Sequence, residues 1–280
     1  MRSPELNKFY EQLSELNNHF SHYIFVWEQF HIDNKITIAE NKTELTTSIY
    51  SENKNARQFR VKLENLESTN LETNSFILRS LYVLAYSQFE IYMRELYEFC
   101  RKMDQSLPNL KIKERIPDTI FEHLEIDTAT EFEQQEILTF DYLRLRRNRI
   151  VHSGDKSAGD LADLKRQKGN SLNRFWNGVL KKGLIGLDFQ SENVTHFEKR
   201  EIFDVINIYR KLIKKTDQLI LQKIGRKKII ERLKKEFIET NESLFKGWGE
   251  KRTNKKFVNY CRMEFDLILK IEEFNKIKVI

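Results

Sequence analysis

The sequence predicts an all-α protein, and three observations predict it. Three prolines and nine glycines in 280 residues leave the chain short of the punctuation that a β-rich fold needs. Leu, Ile, Phe, Glu, Lys and Arg recur at three- and four-residue steps, the spacing of a helix face. Charged residues form 32% and hydrophobic residues 40% of the chain, a balance that covers helices in charge and still fills a substantial core.

The elements follow in order. Ser3 and Pro4 read as the N-cap and first position of a helix that Leu6, Phe9, Leu13, Leu16 and Phe20 continue to about Phe30. Residues 33–55 mix β-branched side chains with Asn, Ser and Thr at poor periodicity, and read as loop with at most a short helix; another short helix is expected over 57–66. "TNSFILRSLYVLAYSQFEIYMRELYEFCRKM", Thr73 to Met103, is apolar on more than one side, as the central helix of a bundle is. Pro108 and Pro117 bracket a connection. A helix capped near Thr130 then runs through "EFEQQEILTFDYLRLRRNRIVH" until Gly154 stops it. The stretch after Gly154 reads as partly loop, with "SLNRFWNGVL" a short helix. "GLIGLDF" reads as a short strand, hairpin or extended lid near 184–189. Thr195 and Glu198 match a capping box for a long amphipathic helix ending at Gly225. The basic remainder reads as two or three amphipathic helices, with a turn at Gly247 to Gly249. The expected divisions are 1–70, 71–225 and 226–280.

The net charge is +6, with the excess lying after Lys199, so a polyanionic partner fits the composition without being dictated by it. Cys100 and Cys261 lack any CxxC spacing, as expected of buried thiols in a reducing compartment. "MRSPELNKFYEQL" has no apolar signal core, and no apolar run approaches the roughly 20 residues that span a bilayer. A cytoplasmic location without membrane attachment is expected. No Gly-rich phosphate loop, GxSxG elbow or HExxH motif occurs. His19 and His22 are three apart but lack a third ligand, so no metal and no cofactor are expected.

One segment stands apart: "RLRRNRIVHS", Arg144 to Ser153, sets four arginines within six residues against Ile150, Val151 and His152. Phe140, Leu143, Ile150 and Val151 form its apolar stripe. Arg147 falls on or beside that stripe, where an unpaired guanidinium is costly unless a carboxylate, a helix end or a phosphate meets it. A charge run of this kind is also what a solvated helix face looks like, and a lone histidine is often structural.

The order Arg147, Asn148, two apolar residues, His152 resembles the signature of the HEPN superfamily. The helix "RSLYVLAYSQFEIYMREL", with Ser87 and Glu90 punctuating an apolar run, is similar to the long second bundle helix of its abortive-infection and RNase LS-like members. The resemblance covers about Thr73 to Gln222. It implies an HEPN helical-bundle domain over 71–225 with N- and C-terminal extensions, a homodimer with the site at the interface, and metal-independent endoribonuclease activity. In that chemistry His152 is the general acid or base. Arg147 stabilises charge on the phosphate. Asn148 orients the phosphate or the histidine. Glu90 either pairs with Arg147 or Arg144 or faces water, and Arg144 supports the site. Arg146, Arg149 and Lys156 are candidates to grip RNA. A toxin or anti-phage effector with an antitoxin or defence-system partner is the implied role. Two other readings stay open: a non-catalytic HEPN scaffold, and a helical nucleic-acid binder driven by its basic C-terminal third.

Overall fold

A computed structural model describes residues 1–152, 157–245 and 250–269. The fold is all-α. The helices are α1 (Pro4–Glu40), α2 (Thr46–Ile49), α3 (Leu66–Met103), α4 (Asp118–His123), α5 (Thr128–Glu131), α6 (Gln134–Val151), α7 (Ser157–Val179), α8 (Lys199–Ile224), α9 (Arg226–Phe245) and α10 (Glu250–Phe265). Among the described residues β-structure is limited to one isolated bridge, Leu45 to Lys62. No helix is long and apolar enough to cross a membrane among those residues.

The central element is α3, which packs against α1, α6 and α8. Its apolar residues recur on nearly every side, and Tyr82, Phe89, Tyr92, Met93, Leu96 and Tyr97 are all buried. Phe89 is held between Phe140 of α6, stacked at 5.6 Å, and Tyr209 of α8, also at 5.6 Å. Ser3 caps α1 as its sequence suggests, accepting from the Leu6 N–H at 3.0 Å. Leu6, Phe9 and Leu13 place that helix in the same hydrophobic cluster as α3 and α8. Ile229, Leu233 and Phe237 of α9 join it from the other end of the chain.

α6 and α7 pair side by side. The fully buried Trp176 donates its indole N–H to Thr139 Oγ at 2.8 Å, which gives the large ring a polar anchor. This contact sets the end of α7 beside the start of α6.

Several expected boundaries move. α1 runs on to Glu40 through the β-branched "KITIAE", and between its end and residue 57 only Thr46–Ile49 is helical. The 57–66 segment holds just a 3-10 turn, Leu63–Asn65, and α3 opens at Leu66 rather than Thr73. α7 is one continuous helix from Ser157. Near Thr130 there is only the four-residue α5. α6 opens instead with a Glu133/Glu136 capping box, and α8 with a Glu198/Glu201 box in place of Thr195/Glu198. The expected stop at Gly154 and the turn at Gly247 to Gly249 lie outside the described residues; α6 ends at Val151, and Gly225 closes α8 with φ +89°.

The strand expected near 184–189 does not form, because its backbone donors are spent elsewhere. The buried Asp204 carboxylate accepts from the N–H groups of Ile185, Gly186 and Leu187 at 2.7 to 2.9 Å. Asn177 and Asn173 take those of Leu184 and Phe189. Side chains of α7 and α8 thus replace the ladder that a strand would require. A Cβ on Gly186 would lie 2.6 Å from the Glu201 backbone nitrogen, so the segment approaches α8 more closely than any other residue permits.

Candidate active site

The last three turns of α6 carry the arginine cluster, and the structure sorts its members sharply. Adjacent helical residues point about 100° apart, so Arg146 and Arg147 cannot share an environment. Arg146, not Arg147, is the guanidinium that enters the core. Its side chain is 0% exposed. It donates from Nη1 to Glu201 Oε1 at 2.9 Å and to the Tyr142 hydroxyl at 3.2 Å, and from Nε to the Val194 carbonyl at 2.9 Å. Its Cζ lies 4.0 Å from the centre of the Phe197 ring and 5.4 Å from that of Tyr82. Arg146 therefore has no surface to offer a nucleic acid, and the RNA-gripping role expected for it is corrected to a structural one. Burial pushes the Glu201 carboxyl up, opposed by Arg146.

Arg147 is half-buried against α3. Its Cζ stands 5.8 Å from the centre of the Tyr86 ring, and its Nη1 donates to Asn148 Oδ1 at 3.1 Å. No ion pair neutralises it among the described residues, and its buried Nε finds no acceptor. Asn148 thus orients the guanidinium itself, not the histidine ring. His152 is the C-cap of α6. Its backbone N–H still donates to the Asn148 carbonyl at 2.8 Å, while its φ of −119° and ψ of 95° have already left the helix. The imidazole is exposed and makes no hydrogen bond to Arg147 or Asn148.

Arg144 is held by Asp141, Nη2 to Oδ1 at 3.4 Å, and Asp141 is shared with Arg115, which also pairs with Asp118 at 2.6 Å. Glu90 is half-buried and forms no ion pair with Arg144 or Arg147. It acts on Tyr86 instead: burial and the nearby Glu90 charge push the phenol up, while Arg144 and Arg147 pull it down. Tyr86 is the site residue that sequence reasoning missed. Its signal was its position four residues before Glu90, on the same face of α3. Arg149 is half-buried, and Lys156 lies outside the described residues.

The remaining histidines have other surroundings. His123 Nδ1 is 3.0 Å from the Tyr97 hydroxyl, and His31 meets Trp27 edge-on at 4.9 Å. Among the described residues no group of three His, Cys, Asp or Glu side chains is placed to hold a metal ion.

Beside the motif runs an exposed, largely apolar band. Phe76, Ser80, Leu84, Ser87 and Ile91 recur at three- and four-residue steps along the outside of α3, with Phe76 63% exposed and Leu84 and Ile91 each 43%. Ile150 borders the same groove, and Val151, 45% exposed, extends the apolar surface to the residue before His152. No family model, no curated protein and no solved structure matches the chain significantly.

Proposed function

We propose that this protein is a metal-independent endoribonuclease of HEPN type, working as a homodimer. The observation that carries the reading is the end of α6: an arginine without an ion pair among the described residues, aimed by its neighbour Asn148, and a solvent-facing histidine one turn further on. An arginine that no carboxylate claims among the described residues is available to a phosphate, and its fork matches phosphate oxygens. A histidine whose imidazole has no partner among the described residues is available to move a proton.

The reaction is transesterification. A base takes the proton from a ribose 2′-OH, and O2′ attacks the adjacent phosphorus. Negative charge grows on the non-bridging oxygens and the Arg147 guanidinium offsets it. The bond from phosphorus to O5′ breaks, and an acid returns a proton to the leaving oxygen. The products are a 2′,3′-cyclic phosphate and a 5′-OH. Each copy offers one histidine at this site, and the step uses both a base and an acid. The apolar band along α3, continuous with Val151 beside His152, supplies the surface on which a second copy brings its own His152. Arg144 and Glu90 set the electrostatics around Tyr86, and the proposal assigns Arg149 to the backbone of the flanking strand. The HEPN resemblance extends the proposal to a cytoplasmic toxin or anti-phage effector restrained by an antitoxin or defence-system partner.

The test is cleavage of total RNA or tRNA in EDTA by the wild type and by His152→Ala. Activity in EDTA that disappears in the variant supports the reading. Cleavage that needs added metal, or that persists in the variant, refutes it.

A further inference from the structure

α8 has an unusual division of charge. Its three carboxylates, Glu201, Asp204 and Asp217, are all buried and all engaged inside the protein. Glu201 holds Arg146, and Asp204 holds the N–H groups of residues 185–187. Asp217 accepts from the Ser3 N–H at 3.0 Å, from the Ser3 hydroxyl, and from the Tyr92 hydroxyl at 3.2 Å. None is left to neutralise the outer face. That face presents Asn207, Lys211, Lys214 and Gln218 at steps of four, three and four, all exposed and all able to donate hydrogen bonds. The row is about 16 Å long at 1.5 Å per residue.

Opposite it stands the turn after α7, which brings Lys181 and Lys182 to the same cleft of about 770 Å³. The turn is fixed rather than loose. Gly183 sits at φ +66° and donates to the Leu180 carbonyl, Asn177 takes the Leu184 N–H, and Asp204 anchors the next three residues. The four lysines 181, 182, 211 and 214 have no ion-pair partner among the described residues. Among the described residues two carboxylates reach the cleft. Asp204 is consumed by the backbone, and Asp266 is paired with Arg2 at 3.3 Å. Tyr10, Leu180 and Ile185 give the cleft apolar wall between the cations.

We infer that this cleft is a second RNA contact, which holds the sugar-phosphate backbone of a single strand without reading its sequence. The inference rests on the proposed function for the choice of RNA. An extended row of donors suits several successive phosphates rather than one compact anion, and phosphate contacts position a strand without specifying it. Apolar wall beside the cations suits an unstacked base. A concave site is a poor match for a flat lipid surface. The cleft runs away from the motif along α8: its lining residue Asp204 lies one turn from Glu201, which holds Arg146, whereas Lys211 and Lys214 approach Lys215, which reaches Glu136, about 24 Å along α6 from His152. The tract therefore binds a flank of the substrate and leaves the chemistry to α6.

The experiment measures binding of a fluorescein-labelled 2′-O-methyl RNA oligonucleotide, which lacks the attacking hydroxyl, to the full chain by anisotropy across a salt series. The tested variant combines Lys181→Ala, Lys182→Ala, Lys211→Ala and Lys214→Ala. A charge-matched control combines Lys35→Ala, Lys42→Ala, Lys54→Ala and Lys113→Ala, all exposed and elsewhere. The expected result is a Kd weakened roughly tenfold or more for the cleft variant at moderate salt, with the slope of log Kd against log salt reduced by about two to three, since each single-strand phosphate contact contributes about 0.7. The control keeps the wild-type slope. Equal losses in both variants, or none in the cleft variant, overturn the inference. Displacement by polyglutamate as effective as by unlabelled RNA, or loss of binding to phosphatidylserine vesicles with RNA binding intact, also overturns it. Failure of EDTA cleavage with this binding difference intact would sink the ribonuclease reading alone. His152-dependent cleavage with unchanged binding by the cleft variant would sink the tract alone.

Discussion

Glu201→Gln isolates the buried Arg146 guanidinium, and the structure sets the size of the effect. Charges 2.9 Å apart at an effective dielectric of about 20 attract by about 6 kcal/mol. Part of that offsets the desolvation of both groups, and removing one partner of a buried pair costs about 3–5 kcal/mol. Glutamine keeps the shape and an acceptor, so the loss is that of the charge. Arginine cannot shed its proton to escape, whereas a carboxyl can take one up. Arg146→Met is therefore the milder change at low pH. Burial already holds the Glu201 carboxyl above its ordinary value with Arg146 present, and removing the cation raises it further. A carboxyl raised in the folded state contributes stability below its unfolded value that is lost as pH rises through the folded one. The deficit of Arg146→Met accordingly grows from acidic towards neutral pH. The assay is urea unfolding followed by far-UV circular dichroism at several pH values, and the double variant Arg146→Met/Glu201→Leu should recover most of the loss. A Glu201→Gln deficit below about 1 kcal/mol would refute the reasoning, as would an Arg146→Met deficit that grows on acidification.

Gly186→Ala should destabilise by about 1–3 kcal/mol in the same urea assay, because its Cβ would press on the α8 backbone; no loss would show that the 184–189 segment yields freely. Burial pushes the Cys100 and Cys261 thiols up to about 12, so a thiol-alkylating reagent should label neither until the protein unfolds, as mass spectrometry would show. Leu84→Arg, on the exposed α3 band, should give a monomer in light scattering, with thermal stability kept and RNA cleavage lost; a dimer that survives the change places the interface elsewhere.

What the sequence could and could not reveal follows from the range of the forces involved. α3 was legible because its apolar residues recur around the whole helix, and its end at Met103 was correctly placed. The start of α6 was blurred because glutamates, not Thr130, form its capping box. The strand at 184–189 failed because the carboxylate that captures its N–H groups lies on α8, some way along the chain. The same distance explains the arginines. Spacing put Arg147 near the apolar stripe, but the partners that draw Arg146 inward, Glu201 and Phe197, come about fifty residues later. Local pattern located the cluster on its helix; only the packing of α8 and its preceding loop decided which guanidinium turned inward and which stayed near the surface.

The most direct test of the proposed chemistry is to identify the ends of RNA fragments produced in EDTA by the wild type and by His152→Ala. The account predicts 2′,3′-cyclic phosphate and 5′-OH ends from the wild type and no fragments from the variant. Ends bearing 3′-OH and 5′-phosphate, or the same fragments from both proteins, would contradict it.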